Sequence, residues 1–357
     1  MTLLMMQSFC LLLGNESAIM RNMSEKIQIR DLRGTPYQNG CLSGSYFRDR
    51  VRIEVDDVAS FMHAFPDCCM QMQYQMAQLK NDVPSYYEET IGKADGLGID
   101  RDVYMMLMHP EIMQEGHESC TTIMVRNTDG TFSLCHNEDD IYRKGNLAFV
   151  RVFTEDGWFI TNDMYNMPFG NGILIHESGL VRSINYCYDT GHSGISRYYC
   201  QRHIAGAGTV NDLKTKAMEM TPASGFHVNV IDPACHSGQS IEVRSDGIFC
   251  RDVSSFLVHT NHCMYGLQEN MYCQQPGGNS IFRYDAVMEQ MKKHTEWTVE
   301  MMSGILDQHT DDPMTSIFQC HSDDNRTLFR FCYDGSLQKS EFIEYEHGKT
   351  LTMQEGI

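Results

Sequence analysis

The chain changes its hydrophobic period once. Between Ser45 and Gln114, apolar residues recur three and four apart, as in "YFRDRVRIEVDDVASFMHAF", "CCMQMQYQMAQLKNDV" and the run Asp100–Met113. That spacing lays one apolar stripe along a helix. Pro66, Pro84 and the Gly96–Gly98 region punctuate the segment, and its methionine stripes read as adaptable core filler. From residue 118 onward apolar and polar residues alternate, and glycine-containing turns separate the runs. "TTIMVRNTDGTFSLC", "NLAFVRVFTEDGWFIT" and "GILIHESGLVRSINY" each read strand, turn, strand. Helices are expected near Ile195–Ala205, Val210–Met220, Ile281–His294 and Val299–Asp307. Strands are expected at "GFHVNVID", "QSIEVRSDGIFC", "FLVHTNH", "TLFRFCYDG" and "SEFIEYEHG". Hairpins without βαβ alternation imply antiparallel sheets, hence an α+β class. With no repeat or linker in view, residues 1–357 read as a single domain.

Composition narrows the partners. The 357 residues are 42% hydrophobic, enough for a substantial core. A formal charge of −19 argues against nucleic acid, whose binding needs clustered Lys and Arg, and against anionic membrane surfaces. Small molecules remain the natural partners, and a homo-oligomer is compatible with everything above. The 14 cysteines include no CxxC pair and only one adjacency, Cys68-Cys69. Thiols of a reducing, cytoplasmic compartment fit better than a disulfide framework. Secretion is the alternative, because "MTLLMMQSFCLLLGNESAIMRNM" is apolar early on; it lacks a basic leading region, and Met23 opens an ordinary soluble sequence. No other stretch approaches the ~20 apolar residues of a membrane span.

The hairpin His117–Asp140, "HESCTTIMVRNTDGTFSLCHNEDD", concentrates candidate chemistry. It starts a strand on Cys120 and ends the partner strand in a run of acids. Asp-Gly favours a tight turn. A loop of Asp129-Gly130 alone sets Cys120 opposite Asp139, whereas a loop of Asn127 to Gly130 sets it opposite Asn137. Neighbouring carboxylates raise a thiol pKa, so they suit a nucleophile only if a cation sits beside it. A free α-amine on Cys120 would be that cation and, once neutral, the base. This requires cleavage between Ser119 and Cys120. Core packing and a solvated acidic strand end are the plainer readings of the same residues.

"HTNH", His259 to His262, has a helical metal-pair spacing on what reads as a strand end. No second ligand pair matches it, so no metal is expected. Asn261 within it carries a side-chain amide able to donate to an oxyanion. Two other classes stay open: a papain-like hydrolase pairing Cys120 with His259 or His262 and needing no cleavage, and an inactive binding protein.

Several segments resemble one family in order. "SCTTIMVRNTDGTFSLCHNED" is similar to the nucleophile hairpin of the acyl-coenzyme A:6-aminopenicillanate acyltransferase family, which shares its fold with choloylglycine hydrolases among the N-terminal-nucleophile hydrolases. "DLRGTPYQNGCLSGSYFRD", "GNGILIHESGLVRSINY", "GFHVNVIDPACHSGQSIEV", "SFLVHTNHCM" and "NSIFRYDAVMEQM" resemble further family segments, so the likeness spans about residues 31–345. It implies a four-layer αββα sandwich of two antiparallel sheets flanked by helices. It implies self-cleavage into 1–119 and 120–357, and an acyl-Cys120 intermediate on a linear amide or an acyl thioester. Coenzyme A thioester is a candidate acyl donor, and no cofactor is required. Carried over by position, Cys120 is the nucleophile, Asp139 and Asn137 belong to the family's Asn-x-Asp, and Asn261 is the oxyanion-hole residue. Asn185 is a substrate-positioning candidate, and Arg283 or Arg326 supports the nucleophile. The chain departs from the pattern with Ser119 in place of glycine, Glu138 in place of an aromatic residue, and a hairpin one residue longer than is common.

Overall fold

The computed structural model describes residues 26–51, 55–113, 119–140, 144–187, 194–265, 279–310, 316–318, 326–346 and 349–354. The apolar N-terminal stretch lies outside them. Among the described residues, no helix is long and apolar enough to cross a membrane.

Two sheets form the centre. One has eight strands, in the order β1 (Ile29–Leu32), β4 (Ala148–Thr154), β5 (Gly157–Asp163), β6 (Ile173–His176), β7 (Val181–Tyr186), β8 (Phe226–Asp232), β9 (Ser237–Arg244) and β10 (Gly247–Asp252). The other has six, in the order β11 (Phe256–His259), β2 (Ser119–Arg126), β3 (Phe132–Asp140), β12 (Arg326–Asp334), β13 (Lys339–Glu344) and β14 (Lys349–Gln354). All pairings are antiparallel except β1 with β4. The sheets pack face to face through Met124, Leu134, Phe149, Ile173, Phe329 and Phe331, among others. Outside the larger sheet, α7 (Arg197–His203) and α8 (Val210–Glu219) cover Ile184, Val228 and Val243. Outside the smaller one, α9 (Ser280–Met291) and α10 (Val299–Leu306) cover Ile123, Val125 and Val258. The αββα layering and the α+β class therefore hold. The four expected helices form within a few residues of their expected ends, while β1 and β14 lay outside the periodicity reading.

Before β2 the chain is mostly helical, as expected: α1 (Pro36–Phe47), α2 (Val55–Ala64), α3 (Pro66–Asp82), α4 (Pro84–Leu97), α5 (Arg101–Leu107) and α6 (Pro110–Met113). Pro66 and Pro84 start helices rather than end them, because a proline in the first turn lacks only an N–H that has no partner there. α1 precedes the helical periodicity. Its start carries a capping box, with the Thr35 side chain accepting from the Gln38 N–H and the Gln38 side chain accepting from the Thr35 N–H.

α1 and α4 touch through glycines. A Cβ on Gly92 would stand 2.1 Å from the Tyr37 carbonyl oxygen, and one on Gly40 would stand 2.2 Å from that of Glu89. Backbone cannot yield there as a flexible side chain would. Gly92→Ala should therefore push the helices apart and destabilise the protein by about 1–3 kcal/mol despite alanine's better helix propensity. A thermal melt checks this as a lower midpoint.

Buried polar links bind the helical segment to the larger sheet and to α7 outside it. Lys93 donates to Asp163 Oδ1 at 2.8 Å and to the carbonyls of Met164 and Met167. Arg202 pairs with Glu89 at 2.9 Å and Arg197 with Glu111 at 3.2 Å. β1 adds backbone pairing along β4. Cys135 and Cys332, register partners on β3 and β12, form a disulfide, one exception to the reading that favoured thiols over a disulfide framework. Their alignment depends on a pairing between strands 197 residues apart in sequence, which no local spacing reveals.

Candidate active site

The register of the β2–β3 hairpin decides what faces Cys120. The Gly130 N–H donates to the Asn127 carbonyl, the Asn127 N–H to the Thr131 carbonyl, and Gly130 has φ +85°. The loop is thus Thr128-Asp129-Gly130, a type I turn closed by a left-handed glycine. This length lies between the two read from the sequence. Cys120 therefore opposes Glu138, and Ser119 opposes Asp139, which corrects both expected pairings. The consequence is large because a one-residue slip moves every side chain to the other face. Cys120, Thr122, His136 and Glu138 face the other sheet. Asn137 and Asp139 face the helices, on the side of Ile123 and Cys135.

On the inner face, Cys120 Sγ lies 3.5 Å from Glu138 Oε1, and Glu138 Oε2 lies 3.1 Å from His136 Nε2. His136 Nδ1 meets Thr122 Oγ1 at 2.8 Å, and Thr122 Oγ1 donates to Asn185 Oδ1 at 2.9 Å. Asn229 Nδ2 donates to the same oxygen at 2.8 Å. This polar layer is buried between the sheets: Cys120 is 2% exposed, and Thr122, His136, Asn185 and Asn229 are fully buried. Burial pushes the His136 imidazole down to about 3, so it is neutral at ordinary pH. Asn185 Nδ2 is a buried donor without a hydrogen-bond partner.

The backbone of Cys120 is held from the side. Its N–H donates to Asn261 Oδ1 at 3.1 Å, and its carbonyl accepts from Arg283 Nη1 at 2.8 Å. Arg283 also donates to Thr121 Oγ1 and Asn261 Oδ1, both at 2.6 Å. Asn261 Nδ2 donates to the Tyr186 carbonyl at 3.1 Å. β11 and α9 supply this clamp, and Thr260 ties them together by donating to the Ser280 carbonyl at 2.9 Å.

The structure thus gathers Cys120, Asn261 and Arg283, with Asn185 linked through Thr122. Asn137 works elsewhere, donating to the Leu306 carbonyl at 3.0 Å and accepting from Arg330 at 2.8 Å, which docks α10. Arg326 stands opposite Asp140 on β12, so Arg283 is the arginine bonded to Cys120. Asp139 accepts from Thr327 at 2.6 Å; burial pushes its carboxyl up to about 6, opposed by the charge of Arg283. The His259 ring stacks on His227 at 3.5 Å, and His262 bonds to Thr260 and Ser280. The imidazole within 4.8 Å of the thiol is instead His136. Sequence reading passed over it and saw Glu138 only as a changed pocket wall; a three-residue loop would have found both. The thiol, imidazole and carboxylate of this group also form a potential metal-ligand set.

A cavity of about 420 Å³, lined by Trp158, His176, Glu177, Tyr333, Gln338 and Met353 among others, opens farther along the sandwich. Tyr333 pairs with Leu134, four positions along β3 from Glu138, about 13 Å away. This cavity is not at the thiol.

Residues 118–347 match the model of the acyl-coenzyme A:6-aminopenicillanic acid acyl-transferase family. The chain belongs to this family. Membership of an acyltransferase family fits the hairpin, the β11 strand end and the following helix, which lie inside the matched range. Similar solved structures include a variant of conjugated bile acid hydrolase from Clostridium perfringens, at 12% identity and TM-score 0.46, covering 66% of this chain and 92% of that one. Penicillin V acylase from Agrobacterium tumefaciens has 10% identity and TM-score 0.42, covering 66% and 86%. No curated protein sequence matches the chain.

Proposed function

We propose that the protein is a self-processing cysteine amidohydrolase or acyltransferase that acts on a linear, non-peptide amide or an acyl thioester through an acyl-Cys120 intermediate. The observation that carries this is the clamp on Cys120: its N–H on Asn261, its carbonyl on Arg283, and its thiol facing a carboxylate. Core packing alone needs no such set of buried polar partners.

In the precursor, the Cys120 thiol attacks the Ser119 carbonyl. The peptide C–N bond breaks, and Ser119 becomes a thioester on Cys120. That cleavage frees the α-amine, and water then hydrolyses the thioester, giving a Ser119 carboxylate and restoring the Cys120 thiol. That amine, where Asn261 Oδ1 now accepts the N–H, takes the thiol proton, and the thiolate adds to the substrate carbonyl. The oxyanion draws on the second Nδ2 hydrogen of Asn261 and on Asn185 Nδ2. Collapse expels the amine, and water or another amine resolves the acyl-cysteine. Glu138, on the thiol's own face, is the anion that balances the ammonium, in the place the family pattern gives to Asp139.

Intact mass with N-terminal sequencing tests the reading: a fragment beginning at Cys120 is expected, and a fully active chain lacking that terminus would defeat it. The fragments should co-elute in native size exclusion and separate only in denaturant, because Lys93–Asp163, Glu89–Arg202 and the β1–β4 pairing all cross the cut. Glu138→Gln should lower kcat/KM about 10²-fold, whereas Asp139→Asn should cost less than about tenfold. The reverse order in steady-state kinetics would return the role to Asp139.

A further inference from the structure

We propose that Cys120, His136 and Glu138 form a buried divalent-metal site, which zinc occupies reversibly, locking the nucleophile in an inactive form. Among the described residues they are the group of three ligating side chains whose donor atoms all lie within 4.8 Å of one another, and all three are buried. Around a tetrahedral zinc, sulfur, nitrogen and oxygen ligands stand about 3.3–3.7 Å apart. The 3.5 Å from Cys120 Sγ to Glu138 Oε1 falls in this range, and the 3.1 Å from His136 Nε2 to Glu138 Oε2 lies just below it, so small side-chain shifts bring the three donors onto one ion.

The hydrogen bonds around His136 prepare it to ligate. Thr122 has one hydroxyl hydrogen and contacts both Asn185 Oδ1 and His136 Nδ1. Asn185 Oδ1 can only accept. Both contacts are hydrogen bonds only if Thr122 donates to Asn185 and His136 Nδ1–H donates to Thr122. In the neutral ring that places the proton on Nδ1 and leaves Nε2 as the ligating nitrogen. Its lone pair faces a Glu138 oxygen across 3.1 Å, a gap that one proton or one metal ion closes. A second ring nitrogen anchored through its N–H is the usual support of a metal-bound histidine. Sulfur, imidazole and carboxylate together suit zinc rather than magnesium or calcium, which take oxygen ligands.

The inhibitory consequence rests on the nucleophile reading of Cys120. Once Cys120 is an N-terminus, its α-amine and thiolate close a chelate ring through Cα and Cβ and supply the fourth ligand. Binding displaces the thiol proton to solvent and engages the electron pair that would attack substrate.

Cobalt(II) replaces zinc as a spectroscopic probe. The purified full-length protein, as isolated, is titrated with Co²⁺ alone, and zinc is then added to compete. One equivalent should give a thiolate-to-cobalt charge-transfer band that zinc abolishes. Cys120→Ser should eliminate the band, and His136→Gln and Glu138→Gln should each weaken Co²⁺ binding at least about tenfold. Circular dichroism shows whether His136→Gln folds, and Glu138→Gln carries the test if it does not. No band, a band that survives Cys120→Ser, or unchanged affinity in folded His136→Gln and Glu138→Gln would each overturn the site. Electrophilic labelling of Cys120 separates the two proposals: labelling without the band ends the metal site alone, and a Cys120-dependent band without labelling or cleavage ends the hydrolase reading alone.

Discussion

Cys120→Ala is expected to remain one uncleaved chain of 40.9 kDa and to lose amide turnover to background, a drop of about 10⁴-fold or more. Both losses follow from one atom. In the proposed mechanism the sulfur attacks Ser119 in the precursor and substrate afterwards, and the α-amine base exists only after the first reaction. The change removes a single buried sulfur, so its cost in stability should be about 1 kcal/mol and the fold should survive. Cys120→Ser keeps a weaker nucleophile and should cleave slowly. Mass spectrometry over time, together with initial rates on acyl amides, separates the two variants. Cleavage or turnover at wild-type rate in Cys120→Ala would remove the residue from the mechanism.

Arg283→Met should slow both self-cleavage and turnover by about 10²–10³-fold, mainly in kcat. Methionine keeps much of the volume but removes the donors to the Cys120 carbonyl, Thr121 Oγ1 and Asn261 Oδ1. Losing charged donors from buried acceptors costs about 1.5–3 kcal/mol each before relaxation. The clamp then no longer fixes the Cys120 backbone against Asn261, and small displacements at a reacting centre are costly. Arg283→Lys keeps the charge without the fork and should fall between. Arg326→Met, on β12 opposite Asp140 and not on α9, should change the rate by less than about threefold. Single-turnover cleavage and a kcat/KM comparison across the three variants check the ranking; equal effects of Arg283→Met and Arg326→Met would show that the contact with Cys120 does not matter.

Local pattern carried the elements. The helical period before residue 118 and the alternation after it correspond to α2–α6 and to the hairpins, since amphipathic periodicity is written residue by residue. Cys120 and Asn261 were also legible as candidates, because each sits in a short motif whose neighbours in the chain fix its place, whereas Arg283 stood beside Arg326 as an open choice. The inner polar layer was not legible. Ser183 and Asn185 on β7 and His227 and Asn229 on β8 alternate with apolar residues as a solvent-facing strand side would. Their apolar partners Ile184, Val228 and Val230 face helices, so the polar side lies between the sheets.

By itself, then, the sequence determined most strands and helices, though not α1, β1 or β14, together with the family's motifs and the cysteine at a strand head. Tertiary structure alone decided which acid stands beside that cysteine, which arginine holds it, and that His136 belongs to the site. The physical reason is parity. A strand's side-chain period is two residues, so a turn longer or shorter by one exchanges the Glu138 and Asp139 faces, and only the closed hairpin packed between β11 and β12 fixes that choice.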